Sequence, residues 1–291
     1  MLKIATIIVT YNAERWIKRC IDSISNSSLS SDIFLVDNAS TDQTMSVLHK
    51  EKCYEIITLD KNYGFGYANN LALKEALMMG FDYFFLVNQD VYIEQETLVQ
   101  LTTFLEKNPT VGIACPIQYN GKGEKIDFLF DDYISKSLDK GEYFETHFAN
   151  AAAWLISKKC LEKVGYFHAL FPHYGEDVNY CNRAEFHEFK IAILKDTKVL
   201  HDRNQAISLE KSIALSKIKL LTIFLNPNYS EFKSLTEAIK NVFGIAKYII
   251  KKHKKSSTYK SFPILAITFF KYLLKLNELT LKKNLSKNPF S

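Results

Sequence analysis

Residues 81–94 read FDYFFLVNQDVYIE. The run begins as a strand buried on both faces, and then Asn88, Gln89 and Asp90 interrupt an apolar stretch that had every reason to continue. A polar break of this kind is ordinary where a strand meets solvent and a turn begins. In an open α/β sheet, however, ligands bind outside the carboxyl ends of the strands, which puts Asp90 where a ligand or metal reaches it. The surrounding chain decides between the two.

Upstream, the same unit recurs. IATIIV (4–9) has the length and β-branching of a strand, and Trp16, Ile17, Cys20, Ile21 and Ile24 follow at helical spacing. DIFLVD (32–37) ends in an acid; Asn38, Ser40, Thr41 and Asp42 then form a polar turn able to cap a helix carrying Met45, Val47 and Leu48. EIITLD (55–60) predicts a third strand, NYGFGYANN (62–70) a loop, and LALKEALMM (71–79) a helix that Gly80 ends. Alternating strands and helices imply βαβ crossovers, so the expected fold class is α/β, a Rossmann-like, mostly parallel central sheet with flanking helices. The strand ends TYN (10–12), DNAS (37–40), NYGFG (62–66) and NQD (88–90) then emerge at one sheet edge. One polar strand end is ordinary, but four converging on one crevice are what a ligand site requires.

The composition sets limits on this reading. A chain of 291 residues has ample apolar material for a core. Cys20, Cys53, Cys115, Cys160 and Cys181 are odd in number and show no CxxC spacing, which argues against a disulfide framework or zinc site and for reduced core thiols. The first residues, MLKIATIIVTYN, read as a strand rather than an export signal, and no apolar run approaches the roughly 20 residues of a membrane span, so cytoplasmic retention is expected. Residues 205–291 carry 16 Lys, no Arg and 4 Glu, a charge of +12, which leaves −7 for residues 1–204 out of a net +5. An acidic front argues against a nucleic-acid groove there, while the basic tail can mean nucleic acid or an anionic membrane surface.

The ordered set IIVTYNAERWIKRCIDSI, VDNASTDQT, NYGFGYANN, FLVNQDVYI, GEDVNYCNRA and KVLH resembles the family-two glycosyltransferases with the GT-A fold. The likeness is strongest to the branch, often rhamnosyltransferases, that builds bacterial surface polysaccharides. It covers residues 1–205, with 1–117 as the nucleotide-sugar half and 118–205 as the acceptor and catalytic half; 206–291 is a basic amphipathic helical region. The resemblance implies an inverting enzyme that transfers a sugar from a UDP- or dTDP-sugar to a saccharide acceptor, lipid-linked in this branch. It further implies Mn²⁺ or Mg²⁺ on the departing diphosphate, held by an acidic motif of which Asp90 is the remaining carboxylate, and by His201 in KVLH.

By the same resemblance Asp37 accepts the pyrimidine N3–H, and Thr10, Tyr11 and Asn12 border base and ribose. Asn62, Gly64, Gly66 and Asn70 form the loop near the nucleotide and sugar diphosphate, with Gln89 beside them. Asp177 is the catalytic base and Glu176 orients it or touches the acceptor. Plainer readings stand beside these: a capping acid for Asp37, a core histidine for His201, a helix N-terminus for Glu176 and Asp177. Trp154 is either an acceptor platform or core. Asn179 replaces the acid of the frequent EDVD pattern, and the usual Gly and Ser after the histidine are missing. Residues 118–147 read as a variable loop over the site.

Beyond residue 205 the resemblance ends. Leu235, Ala238, Ile239, Val242, Phe243 and Ala246 form an apolar stripe before KKHKK (251–255), and FPILAITFFKYLLKL (262–276) is a second apolar segment broken by Lys271. These helices suit either an anionic membrane surface or a homodimer interface. The alternatives to a transferase are a nucleotidyltransferase, which TYNAERW disfavours by lacking a glycine run, and a non-catalytic nucleotide-sugar or glycan-binding module, which has no need of the acids at 176–177.

Overall fold

The computed structural model describes residues 2–51, 53–203, 208–253 and 261–288. The first half alternates as expected: β1 (Ile4–Thr10), α1 (Ile17–Ser25), β2 (Asp32–Asp37), α2 (Thr44–Leu48), β3 (Glu55–Thr58), α3 (Phe65–Met78) and β4 (Tyr83–Asn88). Then come β5 (Val91–Ile93), α4 (Thr97–Lys107), β6 (Val111–Asn120), α5 (Phe128–Ser135), β7 (Leu138–Asp139), β8 (Tyr143–Thr146), β9 (Ala153–Ser157), α6 (Lys158–Val164), α7 (Glu176–Phe186) and β10 (Lys190–His201). Four helices follow: α8 (Leu209–Phe224), α9 (Glu231–His253), α10 (Ser261–Leu274) and α11 (Leu276–Leu285).

All ten strands join one mixed sheet, ordered β3-β2-β1-β4-β9-β6-β10-β8-β7, with β5 also on β10. The first four are mutually parallel, and β6 and β10 are parallel to each other. Between these two groups β9 runs antiparallel to both β4 and β6. Alternation along each strand separates two cores: Ile7, Phe34, Val36, Phe84 and Leu86 meet α3 through Ala68, Ala72, Leu73 and Ala76. Ile4, Ile8, Leu35, Phe85 and Val87 meet α1 and α4 through Ile17, Cys20, Ile21, Leu98 and Leu101. Burial on both faces is what the near-continuous β-branched and aromatic runs require. All five cysteines are free thiols, four of them buried.

Two expectations shift. Residues 118–147 do not form an open loop: they complete β6 and carry α5, β7 and β8. Asp127 starts α5 by accepting from Leu129 N (3.0 Å) and Phe130 N (3.3 Å), and Phe130 is fully buried, so a capped helix holds where composition suggested irregular chain. The loop after β3 is also shorter than expected. Gly64, at φ +93°, is its last residue, and α3 begins at Phe65, so Gly66 and Asn70 lie on a helix. The C-terminal helices form a third core with Phe171 of the preceding segment. A Cβ on Gly175 would meet Ile218 of α8 at 2.4 Å, so α8 lies directly on the start of α7. Of KKHKK, residues 254 and 255 lie outside the described residues, as do the side chains of 251–253.

Candidate active site

At the carboxyl edge of the parallel strands, polar side chains bind the strand ends to one another. Asp37 Oδ1 accepts from Thr10 Oγ1 (2.9 Å) and Ser40 Oγ (2.6 Å), and its Oδ2 accepts from Ser40 N (2.9 Å). Asp37 is 1% exposed, so its first task is to fix the β1 and β2 turns together. Asn12, at φ +49°, accepts from Thr41 N at 2.8 Å, while its own N–H donates to Ser40 Oγ at 2.9 Å. Tyr11 stands beside them with its ring 45% exposed at the crevice rim. The Asn38 and Asn62 amides join at 3.0 Å, and they accept from Tyr63 N and Gly64 N at 2.8 and 2.9 Å.

Several expected donor contacts have other duties. Gln89 brackets the Tyr11 backbone, accepting from its N–H at 2.8 Å and donating to its carbonyl at 3.2 Å. Asn70 does the same for Phe167, at 2.8 Å in both directions. Gly66 packs its open face against Phe167 and Glu176; a Cβ there would meet their Cβ atoms at 3.0 and 3.6 Å. Trp154 is fully buried against Phe167 and Tyr180, so the acceptor-platform reading gives way to core packing. The exposed ring next to the acid pair is Tyr174, 47% exposed at φ +67°, with Lys211 Nζ of α8 5.1 Å from its centroid.

The proposed metal pair does come together. Asp90 Oδ1 lies 3.5 Å from His201 Nε2, although 111 positions separate them, because β5 and β10 pair with His201 opposite Val91. Behind them Gln118 donates from Nε2 to Asn150 Oδ1 at 2.6 Å, which turns its Oε1 toward His201 Nδ1 at 3.1 Å. With Nδ1–H donating to that amide, the Nε2 lone pair faces Asp90. One carboxylate oxygen and one imidazole nitrogen on a common point fit a divalent cation that takes its remaining ligands from diphosphate and water. Among the described residues no group of three or more His, Cys, Asp or Glu forms an all-protein cage. Gln118 and Asn150 carried no motif signal.

Glu176 and Asp177 open α7 behind Gly175, at φ +84°. Asp177 Oδ1 accepts from Val178 N at 2.8 Å, and the Ala151 N–H also donates to its carboxylate. Burial nevertheless raises its pKa above the ordinary range. Glu176, 6% exposed, is raised further, by burial first and then by the Asp177 charge, and its Oε2 has no hydrogen-bond partner among the described residues. Tyr133 of α5 borders the pair: burial and the Asp177 charge push its phenol up to about 12. The wall between Asp177 and the Asp90–His201 pair is the run at 149–153, small but for Asn150. Asn150 holds Gln118, Ala151 reaches Asp177, and Ala152 O accepts from Asn88 N at 2.9 Å. Arg203, just past His201, grips Asp127 through Nε at 3.0 Å and through Nη2, so the cap of α5 is fastened beside the site.

Comparison with known proteins agrees with this geometry. The model of glycosyl transferase family 2 matches residues 5–165, more than half of the chain. The chain belongs to that family. Over 131 residues it is 28% identical to the poly(ribitol-phosphate) beta-N-acetylglucosaminyltransferase TarS of Staphylococcus aureus, spanning 42% of this chain but only 22% of that relative. The low-salt glycan biosynthesis hexosyltransferase Agl10 of Haloferax volcanii is 22% identical over 211 residues, 69% of this chain and 67% of its own. A crystal structure of TarS residues 1–349 superposes with a TM-score of 0.66 at 18% identity, covering 98% of this chain and 89% of that one. The Pyrobaculum calidifontis mannosyltransferase PcManGT, solved with GDP-Man and Mn²⁺, gives 0.61 at 16% identity, covering 94% and 75%. At these identities the likeness establishes the GT-A fold.

Proposed function

We propose that this family-2 protein is an inverting glycosyltransferase of surface-polysaccharide synthesis, moving a sugar from a UDP- or dTDP-sugar to a hydroxyl of a saccharide acceptor. In the step itself, the acceptor O–H gives its proton to Asp177 as its oxygen bonds to the anomeric carbon. The bond from that carbon to the phosphate oxygen breaks on the opposite face, and the nucleoside diphosphate leaves with the electron pair. Asp90 and His201 would hold Mn²⁺ or Mg²⁺, which would supply charge neutralisation at the diphosphate. Gln118 presents the His201 nitrogen. Asp37 Oδ2, which accepts one N–H from Ser40, keeps an acceptor position for a pyrimidine N3–H. Thr10, Asn12, Asn62 and Gln89 shape that pocket by holding its turns, and Tyr11 offers a ring to the base. Glu176 packs against the first turn of α3 and sets the polarity around the base.

The observation that carries this reading is the shared wall at 149–153, which brings Asp177, the Gln118 support of His201 and the end of β4 onto one segment. A catalytic carboxylate with a raised pKa suits a proton acceptor near neutral pH. The test is Asp177→Asn, scored for donor binding and transfer separately. Thermal stabilisation by UDP, dTDP, GDP and CDP, with and without Mn²⁺, identifies the base and metal requirement, since a ligand of the folded state stabilises by RT ln(1 + [L]/Kd). The variant is expected to keep that stabilisation and to lose transfer by roughly a hundredfold or more. Near-wild-type turnover would remove Asp177 from the reaction. Nucleotide binding without donor turnover in the unaltered protein would make this a binding module.

A further inference from the structure

The last helices pack on the catalytic region with one side and leave another side apolar. In α9 the buried Ala238, Val242, Ile245, Ala246 and Ile249 face the third core, whereas Phe232, Ile239 and Phe243 are 76%, 43% and 60% exposed. Those three recur at i, i+7 and i+11 and form one ridge of the helix. In α10, Leu265, Thr268 and Phe269 are buried, while Ile267, Phe270 and Leu274 are 57%, 59% and 89% exposed along a second ridge. Phe243 also touches Phe262, itself 40% exposed at the start of α10, with ring centroids 5.3 Å apart, so exposed apolar side chains run from one helix onto the other. Scattered exposed apolar residues need no explanation, but a contiguous cluster of large ones marks an interaction site.

Charge identifies the partner. Lys247 stands one turn beyond Phe243, Lys271 follows Phe270, and Lys275 follows Leu274, all three exposed. Two of the four glutamates in this region are engaged within their own helices, Glu237 with Lys240 and Glu278 with Lys282, both at 2.7 Å. A ridge of Phe, Ile and Leu edged by lysines is the pattern of a helix lying in a lipid interface, its rings among the acyl chains and its ammonium groups at the headgroups. None of the helices among the described residues is long and apolar enough to cross a bilayer, so the surface would lie on the membrane rather than span it. We infer that the α9 and α10 ridges are a docking surface for an anionic lipid bilayer. This surface is separate from the transfer chemistry.

The experiment is flotation of the full chain with vesicles of phosphatidylcholine alone or mixed with phosphatidylglycerol, at low and high salt. Binding is expected on the anionic vesicles at low salt, weakening as salt shortens the Debye length. Lys247→Gln and Lys271→Gln should each lower partitioning by about fivefold. The triple variant Phe243→Ser, Phe270→Ser, Leu274→Ser should abolish it while keeping the melting temperature and nucleotide-induced stabilisation of the wild type. Failure to float on anionic vesicles at low salt overturns the inference. So does flotation that the triple variant leaves intact, which would mean charge adhesion alone. A dimer in sedimentation that the triple variant dissociates, with no flotation, would assign the surface to a second copy of the chain.

Discussion

Glu176→Gln should make the folded protein more stable at neutral pH. The carboxyl is 6% exposed, one of its oxygens lacks a hydrogen-bond partner among the described residues, and the Asp177 carboxylate is its neighbour. Burial and that charge raise its folded-state pKa above the value of about 4.3 it has in an unfolded chain. An acid with a raised folded pKa takes up protons on folding. The stability associated with its neutral form is therefore complete below the unfolded pKa and is lost as pH rises through the folded one. Each unit between the two pKa values is worth about 1.4 kcal/mol, so ionising the buried acid costs on the order of a few kcal/mol at pH 7. Glutamine keeps the shape and removes the ionisation. Thermal unfolding of both proteins from pH 4 to 8 should show curves that coincide at the acidic end and separate in favour of the variant by about 2–4 °C per kcal/mol. A variant less stable than wild type at neutral pH, or a difference that does not change with pH, would refute the reasoning. Stability yielded where two adjacent acids are buried together is what a reaction demands and folding alone does not.

Three further outcomes are expected. Gln118→Leu removes the acceptor for His201 Nδ1 and should raise the Mn²⁺ concentration needed for half-maximal activation by about 10–100-fold, leaving saturated turnover less affected. The pH dependence of transfer should fall on the acid side at a pH above the ordinary carboxylate range, because Asp177 must be deprotonated to accept a proton and burial raises its pKa; a profile flat down to pH 4 would contradict its role. Gly64→Ala would place a methyl 1.6 Å from Pro172 O at a φ of +93°, so denaturant unfolding should show a loss of more than about 2 kcal/mol.

The parallel half of the fold was legible because its strands are buried on both faces and its helices show one stripe each. The Asp90–His201 pair was legible only through the order of family motifs, since 111 positions separate its members and periodicity carries no information on which strands meet. What escaped was of two kinds. The helix α5 depends on Asp127, whose partner Arg203 is 76 positions away, so local composition read as loop. Gln89, Asn70, Gln118 and Asn150 are amides whose partners are backbone groups, one another or, for Gln118, His201; an amide looks the same in a sequence whether it holds a ligand or a neighbouring segment. The loop expected over 62–70 ends early, with Gly66 and Asn70 on α3, because a helix can begin directly after a left-handed glycine.

The departure at Asn179, where the frequent pattern has an acid, follows from how the base is held. Arg183, 1% exposed, donates from Nε to Asn179 Oδ1 at 3.0 Å, from Nη2 to Tyr166 O at 2.7 Å, and from Nη1 to Val164 O. Asn70 grips Phe167, the next residue of the same segment, from α3. The chain from Val164 to Phe167 is thus fixed to α3 on one side and to the helix carrying Glu176 and Asp177 on the other. On its far side Asn179 Nδ2 reaches the Leu225 carbonyl at the end of α8, at 3.5 Å. Position 179 must therefore accept from a guanidinium and donate to a carbonyl at once. An aspartate accepts but cannot donate, and a further carboxylate two residues from Asp177, beyond that of Glu176, would raise the Asp177 pKa further. The amide meets both demands, and it makes the packing of α8 part of the same network that positions Asp177.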